Sequence, residues 1–183
     1  MMSMFSAGLE PTLTEVLETR ENRAKLQESL VKEFRRPVLA FKLNIPGPVK
    51  NNDVIGRVFQ KGKQEIKNLL QERQWKILYE KELDINTGPE YFCVLDIKDA
   101  KMLKIEMIKL EESLLGRIYD IDVLIMMNNG ISAIERTKLG FLPRKCFICE
   151  NEAKVCGRNR THSVIDMQQK IEELILKDGS VKI

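Results

Sequence analysis

Short segments in which apolar and polar side chains alternate are separated along this sequence by longer segments with helical periodicity, and this order limits the chain to few architectures. Residues 39–45 alternate with a period of two, which predicts a strand with one buried face. The strand ends at Pro46-Gly47-Pro48, because proline cannot donate to a sheet ladder. A capping-box pair, Thr12 and Glu15, predicts one or two helices over 13–34.

The rest of the chain continues this succession of helices and strands. The sequence predicts a helix from 52 or 53 to about 73, strands at 75–83 and 91–97, a short helix at 98–103, a strand at 104–111, a hairpin of 119–127 and 131–135 around Asn128-Asn129-Gly130, and a last helix from 163 to about 177. We therefore expect an α+β fold: a mixed, largely antiparallel sheet with flanking helices, a split βαβ core, a C-terminal hairpin and a C-terminal helix.

Size and composition predict one domain over residues 1–183, with the Cys-rich segment 142–163 and the last helix as an appendage. A net charge of +3 is too small to indicate nucleic-acid binding by itself. Apolar runs are all shorter than the roughly 20 residues that span a bilayer, so we expect no membrane association and a cytoplasmic, reducing location. In that location, clustered cysteines indicate a metal site or a structural role before disulfides.

The most informative pair for chemistry is Asp120 and Asp122, which one residue separates on a predicted strand. Their side chains point to the same side of the strand, so the two carboxylates can share one cation. Arg117 lies just upstream and can hold a phosphate oxygen, and Glu111 can supply a third carboxylate. From periodicity alone, the two aspartates are more typical of the solvated face of an amphipathic strand than of a metal site.

Other basic or glycine-containing positions are candidate phosphate contacts. Gly47 and Lys50 stand in a rigid loop, 44–50, between a strand and a helix start, where backbone N–H groups bind anions readily. The loop lacks the spacing of a Walker motif, so a plain tight connection explains it as well. Arg158 and Arg160 can contact phosphate or an acidic partner, or they are ordinary surface charge.

A third constellation is Cys146-x2-Cys149-x6-Cys156-x5-His162, which holds three of the four cysteines and the only histidine. Structural Zn²⁺ takes four such ligands, and the first pair has knuckle spacing, so the set predicts a structural zinc site. The spacing of the second pair departs from common zinc fingers. The alternative is that Cys156 is a buried small residue and His162 merely precedes a helix cap.

Taken together, these stretches resemble the citrate lyase holo-acyl-carrier-protein synthases, also called apo-citrate lyase phosphoribosyl-dephospho-CoA transferases. The matching segments are Thr19-Arg20-Glu21-Asn22-Arg23, Asn44-Ile45-Pro46-Gly47-Pro48-Val49-Lys50, Thr87-Gly88-Pro89-Glu90, Leu115-Gly116-Arg117-Ile118-Tyr119-Asp120-Ile121-Asp122-Val123, Leu142-Pro143-Arg144-Lys145-Cys146-Phe147-Ile148-Cys149, Cys156-Gly157-Arg158 and His162-Ser163. One departure is Ser113-Leu114, where family members usually carry His-Pro.

The resemblance implies a nucleotidyl-type transfer. In this reaction a serine hydroxyl of the apo acyl-carrier (γ) subunit of citrate lyase attacks the α-phosphate of 2′-(5″-triphosphoribosyl)-3′-dephospho-CoA, forming a phosphodiester and releasing diphosphate. It further implies that Asp120 and Asp122 ligate Mg²⁺, as an Asp-x-Asp pair does in the related transferase of malonate decarboxylase. Arg117 and Lys50 would then stabilise phosphate charge, and Glu111 would act as a metal ligand or base.

Two other functions fit parts of the sequence. One is a zinc-stabilised module that binds nucleic acid or an acidic protein without catalysis. The other is the equivalent transferase acting on a different carrier protein, such as that of malonate decarboxylase.

Overall fold

Five α-helices and five β-strands follow one another in the computed structural model, which describes residues 3–128 and 130–182. They are α1 (Leu13–Phe34), β1 (Val38–Leu43), α2 (Asp53–Glu72), β2 (Ile77–Leu83), β3 (Glu90–Leu95), α3 (Ala100–Glu111), β4 (Tyr119–Met127), β5 (Gly130–Ala133), α4 (Ala153–Asn159) and α5 (Val164–Asp178). Short 3-10 turns occupy Leu115–Ile118 and Arg136–Leu139. Within these described residues, every helix is too short or too polar to cross a bilayer.

The strands form one sheet in the order β2-β3-β1-β4-β5, and every neighbouring pair is antiparallel. The succession β1-α2-β2-β3-α3-β4 is that of a split βαβ motif, so the predicted α+β fold is confirmed. β5 extends the sheet by pairing with β4, starting from Met127 opposite Gly130. The predicted turn includes Asn129, which lies outside the described residues.

The predicted strand at 104–111 is wrong, because these residues are the second half of α3. Asp99 caps this helix by accepting a hydrogen bond from the backbone N–H of Met102. Leu103, Met107 and Ile108 are buried at helical spacing, and they outweigh the brief local alternation that resembled a strand. The last strand of the split βαβ motif is therefore β4. The sequence patterns also gave no indication of α4, which lies in the Cys-rich segment.

The two faces of the sheet are covered by different helices. One face carries Phe41, Tyr119 and Ile121, which pack in a single buried cluster with residues of α2, α3 and α5. The other face is covered by α1, whose Leu30 and Val31 pack with side chains of β1, β3 and β4. Because α1 covers only part of that face, polar residues of the strands border the space beside it.

The chain turns from α3 towards β4 at Gly116, whose backbone lies very close to that of Leu110. A Cβ atom at this position would lie 1.7 Å from the carbonyl oxygen of Leu110 and 2.5 Å from Ser113 Oγ. Only glycine leaves room for the end of α3 here. The turn thereby fixes where β4, with its two aspartates, enters the sheet.

Candidate active site

Asp120 and Asp122 lie on the α1 side of β4, while the intervening Ile121 is buried on the opposite side. In the register of the sheet, Asp120 stands opposite Lys42 of β1 and Asp122 stands opposite Ala40. Lys42 Nζ donates to Asp120 Oδ2 in an ion pair. The pair thus projects together from one extended segment, as the spacing predicted.

A cavity of about 230 Å³ separates α1 from this part of the sheet. Its polar lining residues are Arg20, Arg23 and Gln27 from α1 and Lys42, Glu90 and Asp122 from the strands. Three of the six are cations and two are carboxylates, and two of the cations are already paired, Arg23 with Glu90 and Lys42 with Asp120. An anionic ligand of the size of a phosphate group can bind Arg20, which has no ion pair among the described residues, and has access to Asp122 here.

The two aspartates differ in their titration. Burial alone would raise the pKa of Asp120, but the ion pair with Lys42, together with Arg144 and Lys104, holds it below the ordinary value. The pKa of Asp122 is raised, first by burial and then by the negative charge of Asp120. Asp120 is therefore the more strongly ionised carboxylate, and a cation bound between the two would favour ionisation of Asp122.

Arg23, Lys42 and Glu90 are site residues for which the sequence analysis proposed no role. Arg23 Nε donates to Glu90 Oε1 at 2.7 Å, so the middle of α1 is connected to the start of β3. Lys42 stands on the polar side of the alternation that predicted β1, and this was its available signal. Arg23 and Glu90 lie within segments that carry the family resemblance, but only the fold places them around one cavity.

Lys50 lies beside the same cavity, whereas Gly47 does not line it. Lys50 borders a small adjoining cleft together with Arg23, Lys42 and Glu90, and its Nζ donates to the Ile45 carbonyl at 2.6 Å. Burial, followed by the charge of Arg20, lowers the pKa of Lys50. Gly47 packs instead against α5, where an added Cβ would lie 2.5 Å from Gln168 Nε2.

The other predicted phosphate-binding arginines point elsewhere. Arg117 Nη2 donates to the carbonyls of Lys145 and Cys146, at 3.1 and 3.0 Å, and its guanidinium lies over the Phe147 ring. Arg158 and Arg160 are exposed at the end of α4. Arg117 thus connects β4 to the Cys-rich segment in this structure.

Glu111 lies at the edge of β4 that β5 leaves uncovered. Its Oε1 accepts the Ile121 N–H at 2.9 Å, while Lys104 Nζ donates to the Ile121 carbonyl at 2.5 Å. Arg144 donates to the carbonyls of Tyr119 and Arg117, at 2.8 and 2.9 Å. Glu111, Lys104 and Arg144 thus bond backbone groups at this edge that a neighbouring strand would otherwise pair. Burial raises the pKa of Glu111 although Lys104 and Arg144 oppose the shift.

The Cys-rich segment brings its four predicted ligands together. The ligand atoms of Cys146, Cys149, Cys156 and His162 all lie within 4.8 Å of one another, with 3.5 Å between the sulfurs of Cys149 and Cys156 and 3.3 Å between Cys149 Sγ and His162 Nε2. Such a cluster can hold a metal ion. Among the described residues it is the only group of three or more such ligand atoms this close.

Larger grooves exist away from the aspartates. One of about 860 Å³ runs along the first half of α2 and the end of β2, and another of about 800 Å³ lies beside β5. Neither contains a residue that the sequence singled out for chemistry. The smaller cavity under α1 is therefore the candidate active site, because it alone among these combines an aspartate of the pair with several cations.

Comparison with known proteins gives consistent matches over nearly the whole chain. The sequence model of the family described as apo-citrate lyase phosphoribosyl-dephospho-CoA transferase matches residues 11–178. A probable apo-citrate lyase phosphoribosyl-dephospho-CoA transferase of Streptococcus pyogenes serotype M3 is 42% identical over 173 residues, covering 93% of this chain and 88% of the relative. A protein of the same name from Vibrio cholerae serotype O1 is 36% identical over 167 residues, covering 91% and 92%. The protein CitXG of Leuconostoc mesenteroides subsp. cremoris is 36% identical over 177 residues, which are 95% of this chain and 37% of that protein.

Proposed function

The chain belongs to the apo-citrate lyase phosphoribosyl-dephospho-CoA transferase family, and on this basis we propose the reaction and the residues that carry it. The enzyme transfers a phosphoribosyl-dephospho-CoA group to apo-citrate lyase. In our proposal the donor is 2′-(5″-triphosphoribosyl)-3′-dephospho-CoA and the acceptor is a serine of the acyl-carrier (γ) subunit. A phosphodiester forms and diphosphate leaves. The family supports neither the non-catalytic binding module nor, by the names of its members, a malonate decarboxylase enzyme.

The observation that carries this proposal is the carboxylate pair beside a small cationic cavity. Asp120 and Asp122 have the donor type and spacing to ligate Mg²⁺, which when bound neutralises charge on the triphosphate and on the leaving diphosphate. Lys42 neutralises Asp120 in this structure and lies close enough to the cavity to exchange the carboxylate for a phosphate oxygen. Arg20, Arg23 and Lys50 surround the same space and would orient the polyphosphate.

Residues outside the cavity take different roles in the proposal. Glu111 supports the strand that carries the aspartates. To ligate a metal or act as a base, it would have to lose the hydrogen bond that it accepts from the Ile121 N–H. Arg117 likewise holds the Cys-rich segment. The exposed pair Arg158 and Arg160 remains a candidate contact for the anionic coenzyme or the carrier subunit. The four reduced cysteines suit a cytoplasmic, reducing location.

The decisive experiment incubates the enzyme with apo carrier subunit, the triphosphoribosyl precursor and Mg²⁺, and weighs the carrier by mass spectrometry. The wild-type enzyme should add one prosthetic group. The Asp120→Asn variant should lose transfer by a factor of at least about 1,000 while keeping its fold, because a metal ligand is removed. Asp96→Asn is the matched control, since Asp96 is an exposed partner of Arg36 away from the cavity. Full activity of Asp120→Asn would reject the metal role.

We propose separately that the Cys146, Cys149, Cys156 and His162 cluster holds a structural Zn²⁺. A tetrahedral Zn²⁺ with sulfur ligands at about 2.3 Å places those sulfurs about 3.8 Å apart, close to the 3.5 Å between Cys149 and Cys156. A four-ligand set leaves no open position for substrate, so this metal would act on structure alone. Elemental analysis of the purified protein should find about one zinc per chain, and less than a tenth of that in Cys149→Ser.

A further inference from the structure

One buried carboxylate oxygen of Glu90, a residue that lines the cavity, has no partner among the described residues. Glu90 has a side chain only 3% exposed, and its Oε1 is bound by Arg23. Its Oε2 is fully buried and accepts no hydrogen bond. A buried carboxylate oxygen without a donor costs free energy, so such an atom points to a group that is present in the functional complex. Glu90 lines both the cavity and the adjoining cleft.

The chemistry of Glu90 limits what that group can be. An ionised carboxylate accepts hydrogen bonds and repels phosphate oxygens, so the ligand atom must carry a donor hydrogen or a positive charge. A metal shared with the aspartates is disfavoured, because Lys42 stands between Glu90 and Asp120 in the sheet and Arg23 already binds the Glu90 carboxylate, so a further cation would be repelled. The ligand atom is therefore a neutral hydrogen-bond donor. It lies next to a phosphate group, because the cations that could bind phosphate line the same cavity.

We propose that Glu90 Oε2 accepts a hydrogen bond from a ribose hydroxyl of the nucleotide donor, an inference that rests on the proposed function. In that donor the sugar next to the triphosphate is a ribose with free hydroxyls. With phosphate on Lys42 and Arg20 and metal on Asp122, the attached sugar comes within reach of Glu90 in a cavity of about 230 Å³. Arg23 is a positioning residue, because its hydrogen bond to Oε1 holds the Glu90 carboxylate in place.

The test compares the natural donor with analogues that lack single ribose hydroxyls, and with one that lacks the adenine amino group, by carrier mass gain over time. Wild-type enzyme should lose about 10- to 100-fold in kcat/KM with one deoxy analogue, the range for a hydrogen bond to a charged group. Glu90→Gln should lose a similar factor with the natural donor and little more with that analogue. Arg23→Gln removes the same ion pair but keeps the carboxylate, so it should still discriminate between the two donors, although less strongly than the wild type.

The outcomes separate this inference from the proposed function. If wild-type enzyme adds no mass to the carrier, the proposed function fails. If it does add mass but tolerates every deoxy analogue within about twofold, the Glu90 assignment is overturned without use of any variant. The Glu90 assignment is also overturned if the wild-type enzyme discriminates only against the analogue that lacks the adenine amino group. It is overturned as well if Glu90→Gln discriminates against the deoxy analogue as strongly as the wild type does. Thermal unfolding of both variants verifies that they are folded.

Discussion

Replacing Arg144 by methionine tests whether side chains really substitute for a strand at the uncovered edge of β4. The guanidinium donates to the Tyr119 and Arg117 carbonyls, at 2.8 and 2.9 Å, and lies 3.8 Å from Glu111. Hydrogen bonds from a charged donor contribute about 1.5–3 kcal/mol each. Since the side chain is 26% exposed, water can replace part of this, and we expect a loss of about 2–4 kcal/mol in the free energy of unfolding.

This loss is measurable in two ways. Urea denaturation gives the free energy directly, and the melting temperature should fall by about 5 to 12 °C for a chain of this length. Arg158→Met is the matched control, because Arg158 is exposed at the end of α4. A difference between the two variants below about 0.5 kcal/mol would refute the edge-capping role.

The same variant has a predictable pH dependence through Glu111. Burial already raises the pKa of this carboxyl above its unfolded value, and removing the Arg144 charge raises it further. A group of this kind binds more protons in the native state, so stability falls as pH rises through its titration. The deficit of Arg144→Met relative to wild type should therefore widen as the pH rises through the titration of Glu111 and narrow as the pH falls towards the ordinary pKa of a glutamate.

Three further predictions concern the site and its supports. Asp122→Asn should abolish transfer yet raise the melting temperature at pH 7, because the raised pKa of Asp122 means that its ionised form destabilises the fold. The gain should vanish only well below the ordinary aspartate pKa of 3.8, where the carboxyl is protonated in both states, and a lower melting temperature at pH 7 would contradict this. Gly116→Ala should lower the free energy of unfolding by at least about 3 kcal/mol in urea denaturation, since its Cβ would lie 1.7 Å from the Leu110 carbonyl oxygen; wild-type stability would contradict a close backbone contact at this turn. Cys149→Ser should make unfolding insensitive to a zinc chelator that lowers the melting temperature of the wild type, whereas equal chelator effects on both would argue against the site.

Much of the fold is determined by periodicity that is visible in the sequence. The Thr12–Glu15 capping box is present as predicted at the start of α1, and the alternation over 39–45 corresponds to β1. The segment 104–111 was misread because a few alternating residues inside a helix have the same local pattern as a strand. Which pattern prevails depends on the core against which the segment packs, here the buried cluster that contains Leu103 and Met107.

For the site, the sequence alone determined that Asp120 and Asp122 share one face, because side chains two apart on a strand always do. It also determined that the four Cys and His ligands were near enough along the chain to meet. Only the tertiary structure decided that α1 covers that face and encloses a cavity with Lys42 and Glu90, residues 78 and 32 positions away from Asp120 and Asp122. It likewise turned Arg117 towards the Cys-rich segment. Contacts between distant segments depend on how helices pack on the sheet, and local spacing carries no information about that packing.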